Sequence, residues 1–217
     1  MPHRALFSDR REAGRELGHR LAHYAGHEDV IVLGLPRGGV PVAYEVARML
    51  RAPLDVFLVR KLGVPGQPEL AMGAIASEGV RVLDRALIAQ HGIEPEVVEA
   101  VAQRERAELE ERERIYRGRR APVDARERTA ILVDDGLATD STMCAAVAAL
   151  RQHVPRRVVV AVPVAAAEAC DELEALADEV VCACMPLFFH AVGQFYGDFS
   201  PTTNTDVRCI LDRGAGS

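Results

Sequence analysis

Two adjacent carboxylates, Asp134 and Asp135, follow four apolar residues in the stretch AILVDDGLATDST, residues 130–142. A buried strand does not hold two unpaired carboxylates, so the pair belongs where the strand emerges, with something for it to bind. Ionised carboxylates only accept hydrogen bonds, which suits the vicinal hydroxyls of a ribose or waters on a magnesium ion. The loop that follows, Ala138, Thr139, Asp140, Ser141 and Thr142, leads into a helix. Backbone N–H groups at such a helix start, with the hydroxyls of Thr139, Ser141 and Thr142, suit a phosphate dianion. An ordinary helix cap by Ser141 or Thr139 is the simpler alternative, but it leaves the carboxylate pair unexplained. Asp140 opposes the phosphate reading. Like charges about 4 Å apart repel by roughly 1 kcal/mol in bulk water and about 4 kcal/mol at an effective dielectric near 20.

Two further stretches carry charge at strand ends. Pro36-Arg37-Gly38-Gly39 follows the apolar run VIVLGL, residues 30–35. Paired glycines let a backbone approach a ligand closely, and Arg37 offers a fork of donors to phosphate oxygens. Arg60-Lys61 ends a second strand expected over residues 54–59. In open parallel sheets ligands bind beyond the carboxyl ends of the strands, so these ends, if neighbours, converge on one crevice. Its cationic side suits a pyrophosphate and its anionic side a ribose 5-phosphate.

The elements that position these residues alternate. Helices are expected over residues 9–24, 41–50, 141–153 and 165–177, and strands over 30–35, 54–59, 130–133, 158–164 and 179–184. Continuous apolar strands between amphipathic helices predict an α/β fold with a doubly wound, mostly parallel sheet. The first helix has Asp9 as its cap, Glu12 three residues later, and an inner stripe of Ala13, Leu17, Leu21 and Tyr24. His19, His23 and His27 recur every four residues on the opposite side, which predicts a solvated face rather than a metal site. Residues 63–79 are rich in Gly and Pro and predict a loop and a small hairpin, with arms at 71–75 and 80–83. Residues 95–119 predict one long charged helix with Glu108–Arg112, Glu110–Arg114 and Glu113–Arg117 in favourable i,i+4 order. Its apolar stripe is thin: Val98, Ala102, Leu109 and Tyr116. Five aromatic residues crowd between Phe188 and Phe199, as a satellite cluster packed on the sheet or a wall for a planar ligand.

The 217 residues, 49% hydrophobic, are read as a single domain, with 63–120 an inserted hairpin and long helix and 185–217 a C-terminal hood or tail. A net charge of -6 argues against a nucleic-acid surface. No apolar run reaches membrane-spanning length and the first residues lack an apolar signal core, so a soluble cytoplasmic protein is expected. The five cysteines read as free thiols. Cys182 and Cys184 share a strand face without further ligands to make a metal site.

The stretch AILVDDGLATDST resembles the ribose-phosphate motif of type I phosphoribosyltransferases, an apolar strand, an acidic pair and a small loop of the form T-G-x-T. The strand–PRGG–helix segment resembles that family's pyrophosphate loop, and Arg60-Lys61 its basic pair. The resemblance spans residues 30–184. Segments such as VRKLGVPGQPELAMGAIASEG and AVGQFYGDFSP resemble those of a bacterial subgroup of phosphoribosyltransferase-domain proteins. It implies transfer of a phosphoribosyl group from phosphoribosyl pyrophosphate (PRPP) to a nitrogenous acceptor. Mg2+ would be bound mainly through the substrate, water-bridged to Asp134 or Asp135. It further implies that Ala138, Thr139, Asp140, Ser141 and Thr142 hold the 5-phosphate. Asp134 and Asp135 would hold the ribose hydroxyls, and Arg37, Gly38, Gly39, Arg60 and Lys61 the pyrophosphate. The family has Gly or Ala where this chain has Asp140. Residues 63–79 are candidates for a lid, the aromatic tail for the acceptor hood, and a second copy of the chain for a partner. A PRPP- or nucleotide-binding sensor without transfer activity is the competing reading.

Overall fold

The structure, a computed structural model, describes residues 5–118, 120–138 and 141–214, with the side chains of Glu69, Glu78 and Ser141 left out. Asp140 and Thr139, and with them the conflict of charge in the phosphate loop, lie outside the described residues.

Five parallel strands form the main sheet in the order β2-β1-β6-β7-β8. They are β1 (Val30–Gly34), β2 (Leu54–Val56), β6 (Thr129–Val133), β7 (Arg157–Val164) and β8 (Glu179–Cys184). Every residue of β1 and β6 is buried, as continuous Val/Ile/Leu runs require when helices cover both faces. On one face lie α1 (Arg10–Arg20) and α2 (Gly39–Leu50), whose Leu17, Val42, Val46 and Leu50, with Leu21 just after α1, pack on Val30, Val32, Ile131 and Val133. On the other lie α5 (Ser141–Arg151) and α6 (Ala167–Glu174), with Met143, Val147, Leu150 and Leu173 against Ile31, Leu33, Leu132 and Val160. Asp9 caps α1 by accepting from the Glu12 N–H at 2.8 Å, and His19, His23 and His27 are exposed.

A second sheet departs from the expected layout. The predicted strand over 54–59 is interrupted: β2 ends at Val56, and Val59 begins β3 (Val59–Val64) of an antiparallel sheet with β4 (Gln67–Ala76) and β5 (Arg81–Leu83). Arg60 and Lys61 therefore sit inside β3 and not at the end of a main-sheet strand. The physical reason is a change of partner. The Phe57 N–H still donates to the Gly34 carbonyl, whereas the Leu58 carbonyl already accepts from Ser77. The Gly- and Pro-rich 63–79 segment is mostly strand, β4 being longer than the predicted arm.

Across this sheet lies α4 (Pro95–Arg117), packed through Val98, Ala102, Leu109 and Tyr116 on Leu62, Met72 and Ile75 and on Val207 and Leu211 of α7 (Asn204–Gly214). Its end is tied to β2: buried Arg117 donates to both Asp55 carboxylate oxygens at 3.2 Å and to the Val56 carbonyl at 2.7 Å. Of the predicted i,i+4 pairs, Glu113–Arg117 forms at 3.1 Å, while Arg114 pairs with Glu111 instead. A short helix, α3 (Arg85–Gln90), links β5 to α4. The aromatic tail packs as a satellite cluster, with Phe189, Phe195, Tyr196 and Phe199 around Phe7, although Phe188 is exposed. Among the described residues no helix is long and apolar enough to cross a membrane.

Candidate functional site

The β1 and β6 strands pair in register, Gly34 beside Val133, so their carboxyl ends deliver Pro36-Arg37-Gly38-Gly39 and Asp134-Asp135 side by side. The two segments are in close contact. A Cβ on Gly38 would lie 2.0 Å from Asp135 Oδ2, and one on Gly39 would lie 2.6 Å from the Val133 carbonyl oxygen. Gly38 has helical φ and ψ of −64° and −34°, so what excludes a side chain there is the carboxylate and not the backbone conformation. The Pro36–Arg37 peptide is cis. Arg37 is exposed, with no ion pair among the described residues.

Asp135 is held from three sides. Arg10, at the start of α1, donates Nε–H to Asp135 Oδ2 at 2.8 Å and Nη1–H to the Ser200 carbonyl at 2.9 Å. Its guanidinium carbon stands 3.9 Å from the centre of the Phe199 ring. The Tyr196 hydroxyl donates to the Asp135 backbone carbonyl at 2.6 Å. Asp134 Oδ1 accepts the Asp135 N–H at 2.8 Å. Burial, and then the charge of Asp135, pushes the Asp134 carboxyl well above the usual carboxylate range. Burial raises Asp135 as well, against the opposing pull of Arg10.

The cationic side is arranged differently from the sequence expectation. Arg60 is taken by α4: its guanidinium donates to Glu105 Oε2 at 2.9 and 2.7 Å and to Glu108 Oε2 at 2.6 Å. Glu105 is buried, which raises its pKa, but Arg60 and Arg104 outweigh the burial and hold it below the usual range. Pro36, Arg60, Lys61, Thr142 and Arg112 of α4 line one cavity of about 590 Å³. The structure therefore brings Pro36 of the PRGG turn, the basic pair and exposed Thr142 to one cavity, whose lining does not include Arg37, Gly38, Gly39, Asp134 or Asp135. Ala138 is exposed, and α5 begins at Ser141.

A glycine turn is thus pressed on an acidic pair at neighbouring parallel strand ends. The sequence pattern of the phosphoribosyl transferase domain matches residues 11–200. The chain belongs to the phosphoribosyl transferase family. Proteins of two Mycobacterium tuberculosis strains, each named "Putative phosphoribosyl transferase", are 49% identical to it over 210 residues. That match covers 96% of this chain and 47% of theirs, so the chain spans about half the length of these curated relatives. The crystal structure of TT1426 from Thermus thermophilus superposes with a TM-score of 0.87 at 48% identity, covering 94% of this chain and 97% of that one.

Sequence reasoning missed Arg10, Tyr196 and Arg112. Arg10 lies 125 residues from Asp135, and nothing local marks it. Tyr196 was visible only as one of a cluster of rings. Arg112 did leave a signal: Val98, Ala102, Glu105, Leu109, Arg112 and Tyr116 follow each other at spacings of four and three. Glu105 and Arg112 are the polar members of an otherwise apolar stripe.

Proposed function

We propose that this phosphoribosyl transferase domain moves the 5-phosphoribosyl group of PRPP to a ring nitrogen of a nitrogenous acceptor and releases pyrophosphate. The observation that carries the reading is the packing of Gly38 and Gly39 against Asp134 and Asp135. It sets a backbone that can approach a pyrophosphate beside carboxylates that can accept from a ribose diol. In the reaction the bond from ribose C1 to the pyrophosphate oxygen breaks, a bond from C1 to the acceptor nitrogen forms, and the acceptor's proton leaves to solvent. Positive charge develops on the sugar ring as the leaving group departs. Asp135, anionic and fixed by Arg10, accepts from a ribose hydroxyl and stabilises that charge from a site that needs no reorganisation. Asp134, beside it, supplies a second hydrogen-bonding group to the diol. Arg37 and Lys61, with the backbone of Gly38 and Gly39, receive the pyrophosphate, and residues 138–142 receive the 5-phosphate.

The donor set fits Mg2+, a hard cation that keeps several waters and takes few carboxylates. Asp134 and Asp135 would hold it through water, chiefly by way of the substrate's own oxygens. When bound, it neutralises charge on the departing pyrophosphate.

The test is calorimetric titration of PRPP with Mg2+ into the protein and into Asp134→Asn and Asp135→Asn, followed by pyrophosphate release with a panel of bases. Micromolar binding that both variants weaken, with base-dependent release, supports transfer. Binding with no release for any base favours the sensor reading. Equal binding and turnover by all three proteins would overturn the assignment of the acidic pair.

A further inference from the structure

The long helix α4 is the element that the family resemblance left without a role, and it reaches the crevice. Its stripe faces β3, and the polar members of that stripe mark where it passes the site. Arg60 grips Glu105 and Glu108, one turn before Arg112. That grip has two consequences. It occupies the Arg60 guanidinium with two carboxylates, so Arg60 brings no unneutralised charge to a pyrophosphate. It also engages Glu108, the i−4 residue that would otherwise pair with Arg112. Arg112 is exposed and has no ion pair among the described residues. It shares the 590 Å³ cavity with Pro36, Lys61 and Thr142, and a narrower neighbouring cavity with Pro36, Arg60 and Thr142. Burial raises the Tyr116 phenol pKa, and both Arg112 and Arg37 lie near enough for their charges to oppose that rise.

We infer that Arg112 takes the place of Arg60 as the cation that α4 adds to the pyrophosphate side of the crevice, with Arg37 and Lys61, while the Arg60–Glu105–Glu108 cluster holds the helix over the PRGG turn. This assignment rests on the proposed function and adds a substrate-binding residue from outside the family's motifs. A planar guanidinium offers two parallel donors to a phosphate, which a lysine at that position does not.

Titration of Mg2+-PRPP and, separately, of ribose 5-phosphate into the protein, Arg112→Gln and Arg112→Lys tests it. Arg112 is exposed and makes no ion pair among the described residues, so neither variant is expected to change the fold, which denaturant unfolding checks. Arg112→Gln should weaken PRPP binding about tenfold to a hundredfold, the loss of one charge-assisted hydrogen-bonded contact, and leave ribose 5-phosphate binding unchanged. Arg112→Lys should fall between. Unchanged PRPP binding by Arg112→Gln overturns this inference and leaves the proposed function standing. Equal loss for both ligands also overturns it, because Arg112 would then serve the 5-phosphate. A parent protein that binds neither ligand overturns the proposed function, and this inference with it.

Discussion

Alanine at Gly38 tests the packing between the glycine turn and the acidic pair without any ligand. The backbone at Gly38 is helical, so alanine is locally acceptable, and its lower unfolded-state entropy favours the variant by about 0.5–1 kcal/mol. Against that, the new Cβ would meet Asp135 Oδ2 at 2.0 Å and Cγ at 2.6 Å. Ordinary contact is about 3.5 Å, so the carboxylate must retreat by roughly 1.5 Å, enough to lose its hydrogen bond from Arg10. That charge-assisted bond lies between side chains only 12% and 14% exposed, and its loss costs about 1.5–3 kcal/mol. The net expectation for Gly38→Ala is a loss of about 1–2 kcal/mol. In an Asp135→Ala background no carboxylate remains to strike, and the same change should become neutral or stabilising by about 0.5–1 kcal/mol. Urea unfolding of the parent, both single variants and the double variant gives the coupling, expected near 1.5–3 kcal/mol. An additive cycle, with Gly38→Ala equally costly in both backgrounds, would refute the claim that Asp135 is what requires glycine at 38.

The clamp at the end of α4 should matter more than any surface pair. Arg117→Met leaves Asp55 buried without its cation, an expected loss of about 3–5 kcal/mol in urea unfolding and a Tm lower by roughly 6–20 °C. Asp134 should trade stability for function. Its folded pKa lies above the ordinary 3.8, so the folded state holds the proton more tightly than the unfolded chain, and stability falls as pH rises from 3.8 through the raised value. Asp134→Asn removes that slope, and thermal unfolding from about pH 4 to 8 should find the variant gaining on the parent as pH rises. A parallel pH dependence in the two proteins would refute the buried-acid reading.

The alternation of apolar runs and amphipathic stretches was enough to determine the parallel sheet, because a strand buried on both faces must be apolar throughout. The same local chemistry marked Asp134 and Asp135, since carboxylates directly after such a strand have to emerge from it. Gly38 and Gly39 were legible as a turn, but what presses on them was not. The contact depends on β1 and β6 pairing in register, although nearly a hundred residues separate them in the chain. Arg60 and Lys61 show the limit most plainly. Sequence placed them at the end of a main-sheet strand, because nothing local announces that Leu58 changes partner to Ser77. Only the tertiary structure decided that Glu105 and Glu108 take Arg60, that Arg10 and Tyr196 fix Asp135, and that α4 carries Arg112 into the crevice. Ion pairs and hydrogen bonds between distant segments depend on where side chains end in space, and the spacing of residues along the chain constrains that only within one helix or one strand.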